Sequence, residues 1–292
     1  MTIGPITQPA YPPKNNSTSA DHENERLSNL FLDEEVSEVE RACAIKPLLG
    51  EHPLQLLTIA AAKLQLTLRR PHWQDADHIK RNLYSGILAF EKNLREEELD
   101  SLISDGTYTH KKHVHEMTLL EDESHDVIGA IHFETIVEGA KRGLAHIHSL
   151  DVLPNYQRRG AGTLLLSSAL EAIHAKGGDK VTLKTTYKGI FLYAAFCFQP
   201  KKPAELTPER WMQLPYASKV KILARYWEVT PGRLRLNLTS ERVKEAVAER
   251  FRALFTSREK KPAINVSEIS LPEETFSWGI LQDTRNDSQT SK

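Results

Sequence analysis

An apolar strand ending near Leu153 passes through Pro154-Asn155-Tyr156-Gln157-Arg158-Arg159-Gly160-Ala161-Gly162 into the helical pattern Leu164, Leu165, Leu166, Ala169, Leu170 and Ile173. Helix entry falls where Gly160 and Gly162 remove side chains from the backbone. The first amide N–H groups of such a helix have no intrahelical partner, and the helix dipole adds partial positive charge at the same end. Glycine lets a bulky anion approach those amides, and Arg158 and Arg159 add full charges beside them. The spacing therefore predicts a pyrophosphate cradle that needs no lysine of the Walker type. It excludes two common phosphate loops, since neither G-x-x-x-x-G-K-[ST] nor G-x-G-x-x-G is present. The plainer alternative is a strand–turn–helix with a basic N-terminus.

The run Gln157-Arg158-Arg159-Gly160-Ala161-Gly162 closely resembles the [Gln/Arg]-x-x-Gly-x-[Gly/Ala] signature of GNAT-type acetyl-CoA-dependent N-acetyltransferases. The resemblance implies that the loop from Gln157 through Arg158, Arg159, Gly160, Ala161 and Gly162 to Thr163 grips the coenzyme A pyrophosphate. It also implies that the preceding strand, at Leu150 and Val152, offers its backbone to the pantetheine arm. A second segment, Gly189-Ile190-Phe191-Leu192-Tyr193-Ala194-Ala195-Phe196-Cys197-Phe198, resembles the family's late motif. By position Tyr193 inherits the acid that protonates the departing thiolate. The other account of Tyr193 is a half-buried aromatic with its hydroxyl satisfied. Cys197 departs from the pattern, which has glycine there, and cysteine fits less comfortably if φ must be positive.

The implied fold is α+β, a GNAT-like mixed, mostly antiparallel central sheet flanked by helices, with N- and C-terminal extensions. In that fold two neighbouring strands splay and open a cofactor cleft. Periodicity agrees: strands are expected near residues 64–68, 113–120, 127–137, 144–153, 180–183 and 233–238, and helices near 76–83, 84–102, 163–175 and 240–255. A polar turn at residues 121–126 joins two of the strands. The resemblance spans residues 64–238, but only residues 150–162 and 192–198 match specifically.

At 292 residues the chain exceeds a single core of about 100–150 residues, so extensions are expected. Residues 1–25, rich in Pro, Ser, Thr and Asn, hold too little apolar surface to offset ordering entropy and read as a disordered tail. Residues 26–63 read as a helical N-terminal extension, and residues 64–238 as the acetyltransferase domain. Residues 201–230 look like an insertion within it, a candidate substrate lid. Residues 239–292 read as a C-terminal helix and tail, with a further strand at 264–269 and a frayed end at 283–292.

The balance of 38 Lys and Arg against 39 Asp and Glu gives a net charge of -1 and no global field for nucleic acid or anionic membrane. Cys43 and Cys197 are too few for a disulfide scaffold and suit a reducing, cytoplasmic setting. No apolar run reaches the ~18 residues of a membrane span, and no Sec-type signal is visible. The polar N-terminus also resembles, in composition only, the front of bacterial effectors exported into host cells.

Acetyl transfer to an amine requires that the amine lose a proton, so a base is needed. His113, His115, His132, His146 and His148 all fall in strands expected to be neighbours. The two-residue period puts His146, His148, Leu150 and Val152 on one face. Candidate bases are His148, His146, Glu116 and Glu134; an imidazole titrating near neutrality suits the task. Polar positions on a half-exposed sheet explain the same residues without chemistry. A metal site is the third account, because His at i, i+2 on a strand can chelate; without C-x-x-C or H-E-x-x-H the expectation is no metal. The sequence thus points to an N-acetyltransferase using acetyl-CoA on a primary amine, borne by a protein lysine, an N-terminus or a small molecule. The alternative is a non-catalytic acyl-CoA-binding module on the same fold.

Overall fold

A computed structural model describes residues 45–76, 79, 96–200, 207–229 and 233–256. The expectations for residues 1–25, 26–44, most of 76–95, 264–269 and 283–292 lie outside the described residues, as do 201–206 and 230–232 of the candidate insertion. All described residues fall within one compact unit, residues 45–292.

The strands are β1 (Leu66–Arg69), β2 (Thr107–His110), β3 (His113–Asp122), β4 (Val127–Ile136), β5 (Leu144–Val152), β6 (Lys180–Lys184), β7 (Gln199–Pro200) and β8 (Arg233–Asn237). They form one sheet in the order β1-β3-β4-β5-β6-β8-β7, with β2 pairing β3 beside β1. Every pairing is antiparallel except β5–β6. The described helices are α1 (Pro53–Lys63), α2 (Glu96–Asp105), α3 (Ala161–Ala175), α4 (Ile190–Ala195), α5 (Pro208–Gln213), α6 (Tyr216–Val229) and α7 (Glu241–Thr256). The architecture is the expected α+β sheet flanked by helices.

β3 and β4 form the hairpin on one side of the sheet's central strand, β5. The hairpin turn is set by Asp122, whose Oδ1 accepts the backbone N–H of Ser124 at 2.9 Å and of Asp126 at 3.0 Å, the local side-chain bonding that favours Asp in turns. β4 is buried almost throughout, as a strand covered on both faces must be. One face carries Phe133 and Ile131 with Ile147 of β5, in the core that includes α3; the other carries Met117, Leu119 and Ala130 under Leu102 and Ile103 of α2.

α3 explains why its sequence is apolar nearly all round. Leu164, Leu165, Leu166, Ala169, Leu170 and Ile173 are each fully buried, with the sheet on one side and α1 and α7 on the other. The helix stops at Gly177, φ +75°, where the Gly178 N–H donates to the Ile173 carbonyl at 2.8 Å. α1 and α7, which the pattern placed outside the domain proper, bury Leu57, Ala60 and Ala61, and Val243, Val247 and Phe251, in this same core. The buried carboxylate of Glu171 in α3 accepts the N–H groups of Leu48 and Leu49, at 3.3 and 2.8 Å, and so fastens the segment ahead of α1. Between β7 and β8, α6 packs on α4 and β7, and Trp211 of α5 donates its indole N–H to the Cys197 carbonyl at 2.9 Å.

Candidate active site

β5 and β6 pair only from Leu144 opposite Lys180 to Ile147 opposite Leu183. β6 ends at Lys184, whereas β5 runs on to Val152, hydrogen-bonded to β4 alone. Among the described residues, β6 therefore offers β5 no ladder partner from His148 onward. The divergence coincides with a bulge: His132 lies opposite Ser149 and Phe133 opposite Ile147, so His148 is the extra residue. A bulge bends and twists its strand, which is what parting from β6 requires.

At the far end of this stretch stands the turn. Pro154–Tyr156 forms one 3₁₀ turn, and the Gln157 side-chain amide donates back to the Val152 carbonyl at 2.8 Å. The Tyr156 hydroxyl donates to the Asp122 carboxylate. Arg158 adopts φ +64°, and its guanidinium lies 5.8 Å from the centre of the Phe191 ring in α4; that of Arg159 lies 6.0 Å from the Tyr156 ring. α3 opens at Gly160, φ +99°, without a side-chain cap and with no acidic residue in its first turn. The amides of Ala161, Gly162 and Thr163 precede the first intrahelical bond, Leu164 N–H to the Gly160 carbonyl at 2.9 Å. Such a helix start suits an anion.

The two glycines serve different ends. A Cβ on Gly160 would come within 3.1 Å of Leu254 and 3.2 Å of Leu64, so this glycine answers to its positive φ and to the packing of α1 and α7 rather than to ligand approach. A Cβ on Gly162 would meet Leu192 of α4 at 3.4 Å and Leu150 of β5 at 3.8 Å. Gly162 thus marks the place where β5, α3 and α4 converge, and its missing side chain keeps that junction open. The arrangement fits an elongated ligand with an anionic group on the α3 amides and a chain along β5.

Tyr193 lies in α4, 6% exposed, its ring edge-on to Phe198 at 5.3 Å. Burial, with the nearby Asp151 carboxylate, pushes its hydroxyl well above the ordinary tyrosine range, so it keeps its proton. Burial likewise pushes the Asp151 carboxyl up. Asp151 was not singled out from sequence; its place on the exposed-looking end of a strand gives no signal of this burial. Cys197 takes φ +63°, a left-handed conformation that favours glycine.

Opposite α3, the sheet carries a cluster of imidazoles around one carboxylate. Cross-strand register sets His115 opposite Glu134 and Glu134 opposite His146. The bulge turns His148 to that same face, stacked on His132 with ring centres 4.6 Å apart and edge-on to His146 at 4.8 Å. Glu134 Oε2 lies 3.1 Å from His148 Nε2 and 3.8 Å from His115 Nε2, and its other oxygen bonds His113 Nδ1. Burial opposes ionisation of Glu134, but hydrogen bonds from His148 and His113, with the charge of His115, outweigh it and bring the carboxyl down to about 2. Burial lowers His146 to about 4, and its Nδ1 lies 2.9 Å from the Thr182 hydroxyl.

One expectation needs correction. The two-residue period put His146, His148, Leu150 and Val152 on one face; the bulge instead leaves the two histidines facing Glu134, while Leu150 and Val152 pair with Ile131 and Gly129 and pack into the α3 core. Glu116 is apart from the cluster. It sits opposite Phe133 on the α3 face and forms an ion pair with Lys176 at 3.1 Å.

Residues 81–196 match the family model described as Acetyltransferase (GNAT) family. No curated protein matches the chain. Similar solved structures include N-acetylglutamate synthase from Neisseria gonorrhoeae complexed with coenzyme A and N-acetyl-glutamate, 21% identical, covering 59% of this chain and 35% of that one, TM-score 0.38. This chain thus spans little more than a third of the synthase's length. A GNAT-family acetyltransferase from Staphylococcus aureus Mu50 is 14% identical over 59% of this chain and 99% of that one, TM-score 0.39. One from Brucella melitensis in complex with acetyl-CoA is 22% identical over 46% of this chain and 83% of that one, TM-score 0.34. These superpositions are partial, and the likeness rests on the matched residues, which include the turn at residues 157–162 and Tyr193: residues 81–196 match a GNAT-family acetyltransferase domain.

Proposed function

We propose that this acetyl-CoA-dependent acetyltransferase acts on a primary amine, with His148 as the base, Glu134 as its positioning residue and Tyr193 as the acid. The observation that carries the proposal is the place of His148, the first residue of β5 beyond its last pairing with β6. A base at the apex of the split stands where a ligand laid along the β6-side edge of β5 ends.

Bound acetyl-CoA supplies an activated acetyl group. The α3 amides and Arg158 and Arg159 hold its pyrophosphate, and Leu150 and Val152 flank its chain. The β6-side edge of β5 offers backbone N–H donors toward the cleft, which favour charge developing on a carbonyl oxygen there. His148 takes the proton that the incoming ammonium must lose before it attacks, and ionised Glu134 holds the ring in place. Tyr193, kept protonated by burial, gives its proton to the departing sulfur. Glu134 itself is too acidic to be the base, and Glu116 faces the wrong side of the sheet.

We infer a cytoplasmic setting from cysteine usage; among the described residues no helix is long and apolar enough to cross a membrane. Export as an effector rests on N-terminal composition alone. The deciding experiment is coenzyme A release from acetyl-CoA with a panel of small amines, lysine peptides and N-terminal peptides. Amine-dependent release, with the acetylated product seen by mass spectrometry, supports the proposal. Tight acetyl-CoA binding with no transfer to any amine favours the binding module instead.

A further inference from the structure

His115, His132 and His148 come from three adjacent strands, and one ring nitrogen of each lies within 4.8 Å of the other two. His132 is fully buried, His115 is 7% exposed, and the His115 Nδ1 to His132 Nε2 distance is 3.3 Å. Three imidazoles that bring one ring nitrogen each to a common point are a good ligand set for a small, borderline-soft cation. In a tetrahedral zinc site with bonds of about 2.0–2.1 Å to nitrogen the ligand atoms lie about 3.4 Å apart, so small side-chain rotations close the set.

The surroundings supply what a metal centre needs beyond three nitrogens. Glu134 Oε2 lies beside the three rings, 3.1 Å from His148 Nε2 and 3.8 Å from His115 Nε2, and its other oxygen bonds His113 Nδ1; such a carboxylate is the kind of outer partner that orients ligating imidazoles. The carboxylate also offsets part of the dication's charge.

We propose that His115, His132 and His148 bind a divalent transition-metal cation, zinc by ligand type, with Glu134 as their outer carboxylate, and that the cation competes with the acceptor amine for His148. The second half rests on the assignment of His148 as base. Metal occupancy takes up the imidazole lone pair that would accept the amine proton, so the site is inhibitory. Sequence pattern pointed away from metal because neither C-x-x-C nor H-E-x-x-H is present; the three ligands come instead one from each of three successive strands.

The test uses the full chain. Co²⁺ is titrated into metal-free protein and its visible absorption followed, and Zn²⁺ affinity is measured by competition with a chromogenic chelator. One equivalent of Co²⁺ giving a four-coordinate spectrum is expected, with Zn²⁺ affinity reduced more than about 100-fold in His132→Ala and in the volume-conserving His115→Gln. No stoichiometric spectrum, or an unchanged affinity in a folded variant of either kind, overturns the site. In the same samples Zn²⁺ should suppress acetyl transfer by the wild-type chain, reversibly with EDTA. Binding that leaves transfer untouched overturns the competition. Stoichiometric binding by a protein whose metal-free form transfers to no amine upholds the site and sinks the catalytic assignment instead.

Discussion

Glu134 Oε2 lies 3.1 Å from Nε2 of His148, across strands joined at the one bulge in β5. The carboxylate is ionised far below neutrality, which under the proposed mechanism lets it hold the ring without competing for the amine's proton. His148→Ala should lower kcat about 100-fold or more near neutral pH, while the affinity for acetyl-CoA, set by the α3 turn, stays unchanged. Glu134→Gln keeps a hydrogen-bonding group of the same shape without the charge, and should cost about tenfold or more in kcat. Steady-state kinetics alongside calorimetric acetyl-CoA titration separates the two effects. Unchanged turnover of His148→Ala across the pH range would remove it from the mechanism.

The glycines of the turn should part company on substitution. Gly162→Asp places a carboxylate at the start of α3, where the helix dipole favours it by about 0.3–1 kcal/mol, so folding should not suffer. The same charge repels a pyrophosphate and fills the junction beside Leu150 and Leu192, so coenzyme A affinity should fall more than tenfold. Gly160→Ala should do the opposite: at φ +99° and against Leu64 and Leu254 it should destabilise by about 1–2 kcal/mol. Thermal melts and coenzyme titration on both variants check the contrast. A Gly162→Asp chain that binds coenzyme A normally would refute the cradle.

Much of this site was legible in the sequence because the motif is local. The turn from Gln157 to Gly162, the helix it starts and the neighbouring Tyr193 all lie within one stretch, and strand periodicity placed β3, β4 and β5. What sequence could not supply was phase. One extra residue at His148 shifts every later side chain of β5 to the other face, and nothing in Ile147-His148-Ser149 announces a bulge. The same blindness put Glu116 with Glu134, though their cross-strand partners set them on opposite faces. β2 and β7, at four and two residues, are too short to carry a period, and they form because β3 and β8 offer edges. α1 and α7 read as appendages because their apolar stripes name no partner; the partner is α3, whose own all-round burial was the clue.

The acid stability of the fold should depend on a network remote from the site. Arg69 donates to Asp75 at 2.7 and 2.8 Å and also to Glu121, joining β1, the turn after it and β3. Burial alone would raise both carboxyls, but hydrogen bonds from Arg69, with His72 and His125, hold them below their ordinary values. A carboxyl lowered by folding stabilises fully above its unfolded value near 4, and that contribution fades as pH falls through the folded value. Arg69→Met should therefore lower Tm at pH 7 and show a weaker further loss between pH 5 and pH 3 than the wild-type chain. Parallel acid limbs in the two proteins would deny the network this role.

Tyr193 offers the cleanest separation of chemistry from structure. Its ring packs on Phe198 and closes against the backbone at Gly189, where a Cβ would come within 2.9 Å of Cε2, so the ring is needed for α4 whatever the hydroxyl does. Tyr193→Phe keeps that packing and should leave Tm within a few degrees. Burial holds the hydroxyl protonated beyond the ordinary tyrosine range, so in the wild-type chain it remains a proton donor throughout the pH range in which an amine substrate is partly neutral. Removing it should lower kcat about 10–100-fold with a normal acetyl-CoA affinity. The loss should shrink when acetyl-CoA is replaced by an acetyl donor with a more acidic thiol, because a better leaving group needs its proton less. Equal losses with both donors would assign Tyr193 to packing alone.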